Sequence, residues 1–244
     1  MNIYLIRHGR QNSSACNVDV PLSEEGRKQA GLLGRRMKDY PLDALYCSDL
    51  IRAKETAEIA FSDRKGLYDN LCVRHGLAEI DFGSLTGIPD SDVKSFYKEY
   101  YIKQHDDFVR RKNSEEKPLG GVNEFTGSFF SAHDEMVYPE GEGGKEVMWR
   151  VMPILHEWIE GESENIAVVT HGGLIRILLS ALFGGDFAKR LMFGKSLENC
   201  SITQLFFDRK LHGFYLERFN DYAHIESEPE LMRSMFVKPN GETN

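Results

Sequence analysis

The chain has 244 residues, 41% of them hydrophobic, with a formal charge of −8 and a pI near 5.5. That is enough apolar material for one full core, and the acidic balance argues against broad binding of nucleic acid or anionic membranes, which leaves a small molecule as the expected partner. Cys16, Cys47, Cys72 and Cys200 are scattered with no Cys-x-x-Cys pair, a usage that fits a reducing cytoplasm rather than a disulfide framework or a zinc site.

No apolar run approaches the roughly 18 residues of a membrane span, and the first apolar segment starts almost at Met1, so we expect neither a membrane anchor nor a signal peptide. One domain over 1–244 is the default, and a homodimer stays open.

Ile3, Tyr4, Leu5 and Ile6 run directly into Arg7-His8-Gly9. The pattern predicts a buried strand that delivers an arginine and a histidine to its carboxyl end, where open α/β sheets keep their ligand crevices. A tripeptide alone equally fits a packed histidine after an ordinary strand. A second apolar run, 166–170, also ends in histidine and glycine, His171-Gly172-Gly173, and the two read as halves of one site.

Between them, Ser23 is a plausible N-cap, Glu24 and Glu25 fill a first turn, and Ala30, Leu33 and Met37 recur at helical spacing, which predicts a helix over 23–39. A strand is expected over 42–47. Ser48-Asp49 then opens a helix with Arg52 in its first turn. An isolated helix arginine is ordinarily solvated, but strand, polar cap and helix in succession is the setting of a phosphate-side residue. The segment 77–87 mixes acidic, aromatic and glycine residues without periodicity, as an ordered functional loop does, and offers Glu79 and Asp81 as acids.

A helix over 90–109 is predicted to cover the site, its Val93, Phe96, Tyr97 and Tyr100 packing as core. Arg110-Arg111-Lys112 could meet substrate anions or form a solvated charged stretch with Glu115-Glu116-Lys117. Residues 113–140 read as an insertion or lid. A helix over 142–160, one over 174–183, and a hairpin of strands 201–207 and 214–219 complete the pattern. The charged tail, 226–244, is expected to be partly disordered.

Two strand-end histidines, two arginines and a loop carboxylate can together transfer a phosphoryl group. A phosphomonoester carries close to two negative charges, which Arg7 and Arg52 would hold bidentately, with His171 completing the cradle. The arginines disfavour imidazolium and keep His8 neutral and nucleophilic. An alkoxide leaves poorly unless protonated, so an acid such as Glu79 is required. With arginines neutralising the charge, no metal and no cofactor are demanded.

Several segments carry a family resemblance in order along residues 1–219. They are Leu5-Ile6-Arg7-His8-Gly9, Leu22-Ser23 to Gly26, the stretch from Ser48 to Ala57, Glu79-Ile80-Asp81-Phe82-Gly83, Pro139-Glu140-Gly141-Glu142, Val169-Thr170-His171-Gly172-Gly173 and Asn199-Cys200-Ser201. Together they resemble the histidine phosphatase superfamily in its phosphoglycerate mutase-like branch. The resemblance implies a three-layer α/β/α sandwich with a mostly parallel central sheet and a phosphohistidine on His8. It also implies phosphate contacts from Arg7, Arg52 and His171, and it selects Glu79 over Asp81 as proton donor. Asn17 and Gly172 join the expected phosphate-binding set.

Departures from the pattern bear on the activity. Cofactor-dependent mutases follow the catalytic glutamate with arginine and, two residues later, tyrosine, where this chain has Ile80 and Phe82. That favours a phosphatase over a mutase. The loop after His8 is short and lacks the family's tryptophan-asparagine pair, and Glu140-Gly141-Glu142-Gly143 stands where phosphatases often have Gly-Gly-Glu-Ser. The expectation is therefore a metal-independent phosphomonoesterase acting on a small phosphorylated metabolite, with a mutase or a non-catalytic phosphate-binding module as alternatives. A metal hydrolase is disfavoured because the eight histidines show no ligand spacing such as His-x-x-x-His.

Overall fold

In the computed structural model the described residues are 1–113, 136–194 and 196–233. Their centre is a six-stranded sheet made of β1 (Asn2–Arg7), β2 (Ala44–Cys47), β3 (Cys72–Val73), β4 (Asn165–Thr170), β5 (Ile202–Asp208) and β6 (Gly213–Asp221), in the order β3-β2-β4-β1-β5-β6. The first four in that order run parallel, and β5 and β6 pair antiparallel at one edge. The expected mostly parallel α/β sandwich is the fold observed.

The apolar run of β1 is continuous because both faces of the strand are covered. Ile3 and Leu5 face a core shared with α5 (Gly144–Glu160) and α6 (Gly172–Leu182). Tyr4 and Ile6 face a second core shared with α1 (Glu24–Met37) and α2 (Ile51–Phe61). Period-2 alternation thus splits one hydrophobic segment between two cores, as the buried strands of α/β sheets require. Ser23 caps α1, its hydroxyl accepting from the Gly26 amide at 3.2 Å.

The site is positioned by β1 and β4, which are parallel neighbours in register from Asn2 opposite Asn165 to Arg7 opposite Thr170. The chain leaves β1 toward the α1 face and leaves β4 into α6 on the opposite face. The carboxyl ends of these two strands, the place where open α/β sheets bind ligands, carry His8 and His171.

Element boundaries moved by a few residues: α1 starts at Glu24 and ends at Met37, β2 is shorter than 42–47, and α6 begins at Gly172 rather than 174. The short α3 (Lys65–Tyr68) was not foreseen. The helix α4 (Asp90–Asn113) outruns 90–109, and its Phe96, Tyr97 and Tyr100 pack against the α5–α6 core as expected. Of the expected insertion, 114–135 lie outside the described residues. At its far end Met136 and Tyr138 are 1% and 3% exposed within the core. Of the expected tail, residues 226–233 are packed, with Leu231 buried and its carbonyl accepting from Gln29 Nε2 at 2.7 Å, while 234–244 lie outside the described residues.

Candidate active site

His8 leaves β1 with its amide bound to Thr170 O at 2.9 Å, so the two strand ends share a backbone bond at the site itself. The next residue must be glycine for want of space. A Cβ on Gly9 would lie 2.6 Å from Gly26 O, and one on Gly26 would lie 2.2 Å from Arg10 O. The loop after His8 and the start of α1 are packed backbone to backbone. The Gly9 amide is held by Thr56 Oγ1 at 3.0 Å, and Thr56 in turn donates to Arg52 O at 2.6 Å, which ties the first turn of α2 to the His8 loop.

The contacts of His8 define its tautomer. Nδ1 lies 2.6 Å from Gly9 O, a pure acceptor, so Nδ1 carries the proton. Nε2 accepts from Arg52 Nε at 3.3 Å and so presents its lone pair. His8 is 4% exposed, and burial first, then the charges of Arg52 and Arg7, push its pKa well below the ordinary histidine value. The result is a neutral imidazole whose Nε2 lone pair faces a guanidinium across a contact of 3.3 Å.

Arg52 is 1% exposed and uses all three nitrogens, one N–H of each: beyond His8 it donates to Val18 O at 3.1 Å and to Asn17 Oδ1 at 2.8 Å, which leaves one N–H on each Nη. Asn17, in a left-handed conformation with φ 48°, also donates to Ile80 O at 3.2 Å and so joins Arg52 to the Glu79 loop. It acts here as a positioner of both. Arg7 donates through Nη1 to Leu197 O, while its Nε is buried without a partner.

His171 sits with its ring centroid 4.9 Å from that of His8. Its Nε2 is 2.8 Å from Ser48 Oγ, and its Nδ1 is buried with no partner. Ser48 Oγ also accepts from the Leu50 amide at 3.2 Å, and when its own proton goes to His171 Nε2 the ring proton stands on the orphaned Nδ1. Burial and then the neighbouring charges, led by His8 and Arg52, lower the His171 pKa as well.

Glu79 lies at the amino end of α6. Its carboxylate accepts from the amides of Gly173 and Leu174, both at 3.2 Å, and of Ile80 at 3.0 Å, a favourable place for an acidic group. Its loop is held by Arg150, which donates to Gly76 O, Ala78 O and Glu79 O at 2.7, 3.0 and 3.1 Å and pairs with both oxygens of Glu142 at 2.9 Å. Glu142 thus works through Arg150, without the serine that the related loop motif carries. Asp81, the other acid candidate, is a turn residue: its exposed carboxylate accepts from the Gly83 amide at 2.8 Å.

Of the two glycines after His171, Gly173 is the constrained one. A Cβ there would stand 2.5 Å from Glu79 Oε1, whereas at Gly172 the nearest atom, Arg7 Nε, is 3.4 Å away. Gly172 abuts Arg7, but Gly173 keeps room for the carboxylate. Gly173→Ala is expected to push Glu79 off its amides and lower kcat at least about tenfold. Stability should fall by about 1–3 kcal/mol, because the same Cβ would stand 2.8 Å from the buried Ile80 Cγ2 and the displaced carboxylate leaves α6 amides unpaired. Steady-state kinetics alongside thermal unfolding check both effects.

The two buried neutral histidines make stability depend on pH. Their folded pKa values are depressed, so below the ordinary value near 6.5 the unfolded chain binds protons that the folded chain refuses. Stability is therefore complete above that value and is lost as pH falls through it, by about 1.4 kcal/mol per pH unit for each histidine kept neutral. Urea midpoints measured from neutral to mildly acidic pH should fall, and they should fall less steeply when His8 is replaced by asparagine.

All five residues expected to carry the chemistry, Arg7, His8, Arg52, Glu79 and His171, converge here. Sequence reasoning missed Ser48, Arg150 and Arg176. Arg176, one helical turn after Gly172 on α6, donates to Phe193 O at 3.1 Å and Gly194 O at 3.0 Å and lies beside Arg7. The i, i+4 spacing from Gly172 was the available signal. The side chains of Arg110, Arg111 and Lys112 fall outside the described set. Among the described residues no group of three His, Cys, Asp or Glu could hold a metal ion, and no helix is long and apolar enough to cross a membrane.

Known proteins resemble the chain over most of its length. It is 29% identical over 197 residues to a 2,3-bisphosphoglycerate-dependent phosphoglycerate mutase of Staphylococcus haemolyticus, covering 74% of this chain and 83% of that protein. It is 26% identical over 241 residues to a Schizosaccharomyces pombe protein named as a probable phosphatase, covering 93% and 97%. Among solved structures, a mycobacterial glucosyl-3-phosphoglycerate phosphatase complexed with inorganic phosphate superposes with a TM-score of 0.67 at 23% identity, covering 91% and 98%. The alpha-ribazole phosphatase of Shigella flexneri superposes with a TM-score of 0.63 at 23% identity, covering 91% and 97%. The family model described as the histidine phosphatase superfamily (branch 1) matches residues 3–121 and 115–222, and the chain belongs to that superfamily.

Proposed function

We propose that the protein is a phosphomonoesterase that hydrolyses a small phosphorylated metabolite through a phosphohistidine on His8. One observation carries the reading. Beside His8, whose Nε2 takes only the long contact from Arg52 Nε at 3.3 Å, His171 stands with ring centroids 4.9 Å apart, and two buried nitrogens, Arg7 Nε and His171 Nδ1, have no partner among the described residues. Buried donors left unpaired are costly, and an anion at this point satisfies both.

In the first step Nε2 attacks phosphorus as the bond to the ester oxygen breaks, and Glu79 gives its proton to that oxygen. Arg7, Arg52 and His171 hold the non-bridging oxygens, whose charge grows in the transition state. In the second step Glu79 takes a proton from water, which displaces the phosphoryl group from His8. The arginines neutralise the charge, so the reaction as written needs no metal.

A phosphatase is favoured over a mutase by Ile80 and Phe82. Ile80 is 1% exposed, and Phe82 stacks on Tyr138 with centroids 4.4 Å apart, so both are spent on packing. The test is hydrolysis of an aryl phosphate in the presence of a chelator, with acid-labile phosphate captured on His8 by rapid quench and mass spectrometry. Turnover that requires added metal, or a label on another residue, would overturn the mechanism. Conversion of 3-phosphoglycerate to its 2-isomer with a bisphosphoglycerate primer, faster than hydrolysis, would make it a mutase.

A further inference from the structure

Residues 222–233 form a C-terminal arm that returns to the catalytic end of the sheet. Ile225 and Leu231 are buried in the core on the α1–α2 side, Gln29 of α1 holds Leu231 O, and the Arg233 amide donates to Glu198 Oε1 at 2.5 Å. Glu198 belongs to the turn that grips the end of β1. In that turn Leu197 O accepts from Arg7, Asn199 Nδ2 donates to His8 O at 2.9 Å, and the Cys200 amide donates to Arg7 O at 2.9 Å. The backbone of Arg233 is therefore fastened to the same turn that cradles Arg7 and His8.

The Arg233 side chain is half-buried, and among the described residues it makes no hydrogen bond and meets no carboxylate within 4.0 Å. Arg7 and Arg176 likewise lack an ion pair within that distance. The charge of Arg233 is felt at Arg7, His8 and Arg176, where it opposes protonation in each case. Clustered half-buried guanidiniums repel one another, and an anion between them relieves that repulsion.

We propose that Arg233, delivered by the C-terminal arm, is a substrate-binding residue that holds an oxygen of the phosphoryl group alongside Arg7 and Arg52. This rests on the reading of the site as a phosphate-ester site and adds to it a residue far from every motif that carries the family resemblance. The arm is then part of the active site, and substrate affinity depends on its docking against α1.

Binding of inorganic phosphate by calorimetry tests this in the full chain, comparing wild type, Arg233→Ala, Arg233→Lys and, as a remote loss of one positive charge, Lys28→Ala. Arg233→Ala should weaken phosphate about tenfold, Arg233→Lys should recover most of that loss, and Lys28→Ala should match wild type. Removing the cation also raises the His8 pKa, so the acid limb of kcat/KM for an aryl phosphate should move to higher pH in Arg233→Ala and return in Arg233→Lys. A purely structural role for the arm would not give that charge-dependent recovery. Affinity in Arg233→Ala within twofold of wild type overturns the proposal. A wild type that binds phosphate yet hydrolyses no ester overturns the phosphatase reading while leaving Arg233 to be judged by binding, and a wild type that binds no phosphate overturns both.

Discussion

Replacing His8 should remove turnover almost entirely, by at least about 10⁵-fold in kcat, because the covalent step then has no nucleophile. His171 cannot take over. Its Nε2 is occupied by Ser48 Oγ at 2.8 Å, and the opposite nitrogen serves as a donor in the mechanism. Burial raises the pKa of the nearby Cys16 thiol to about 12, so it offers no thiolate either. His8→Asn is the more informative variant, since an amide nitrogen can keep the bond to Gly9 O while nothing replaces the Nε2 lone pair. That variant should keep its near-UV circular dichroism and still bind inorganic phosphate through Arg7, Arg52 and His171. Residual activity within about a hundredfold of wild type would move the nucleophile elsewhere.

Much of the site was legible because its residues stand at element ends that the sequence marks well. The continuous apolar run of β1 and its twin in β4 announce buried parallel strands, and whatever follows such strands lies at the crevice. Arg52 was readable from its place in the first turn of a helix after a strand. Choosing Glu79 over Asp81 was not open to local reasoning, because the two differ only in what they reach across the fold: Glu79 reaches the α6 amides, while Asp81 closes its own turn.

Residues that act through others were hidden for the same reason. Arg150 looks like any arginine on an amphipathic helix until its carbonyl partners at Gly76, Ala78 and Glu79 are assembled from a segment some 70 residues away. The docking of the arm up to residue 233 was equally hidden. Its charge and proline content say nothing of two buried apolar side chains, Ile225 and Leu231, or of the two side-chain-to-backbone bonds, to Leu231 O and from the Arg233 amide, that dock it. Composition averages over such a segment, whereas docking depends on a few atoms. Asn17, expected in the phosphate-binding set, bonds to Arg52 and to Ile80 O and so also links Arg52 to the Glu79 loop, a tie no local pattern announces.

The second large effect is expected at Glu79, and it should depend on the leaving group. Glu79→Gln keeps the size of the side chain but removes the transferable proton, and general acid catalysis of this kind contributes about 10²–10⁴-fold. An alkyl phosphate releases a poorly stabilised alkoxide, so kcat should fall across that range. A nitrophenyl ester releases an oxyanion that leaves unaided, so its phosphorylation step should change little. A plot of log kcat/KM against leaving-group pKa should therefore steepen in Glu79→Gln relative to wild type, with the lines meeting at the most acidic leaving groups. The glutamine oxygen can keep the Leu174 and Ile80 amides that Oε1 accepts, while the Gly173 amide on Oε2 loses its acceptor, so thermal unfolding run beside the kinetics separates loss of the proton from loss of structure. Equal losses for alkyl and nitrophenyl esters would mean that Glu79 serves binding rather than proton transfer. In that case the acid would have to come from outside the cluster, because Asp81 is committed to its turn and Glu142 to Arg150.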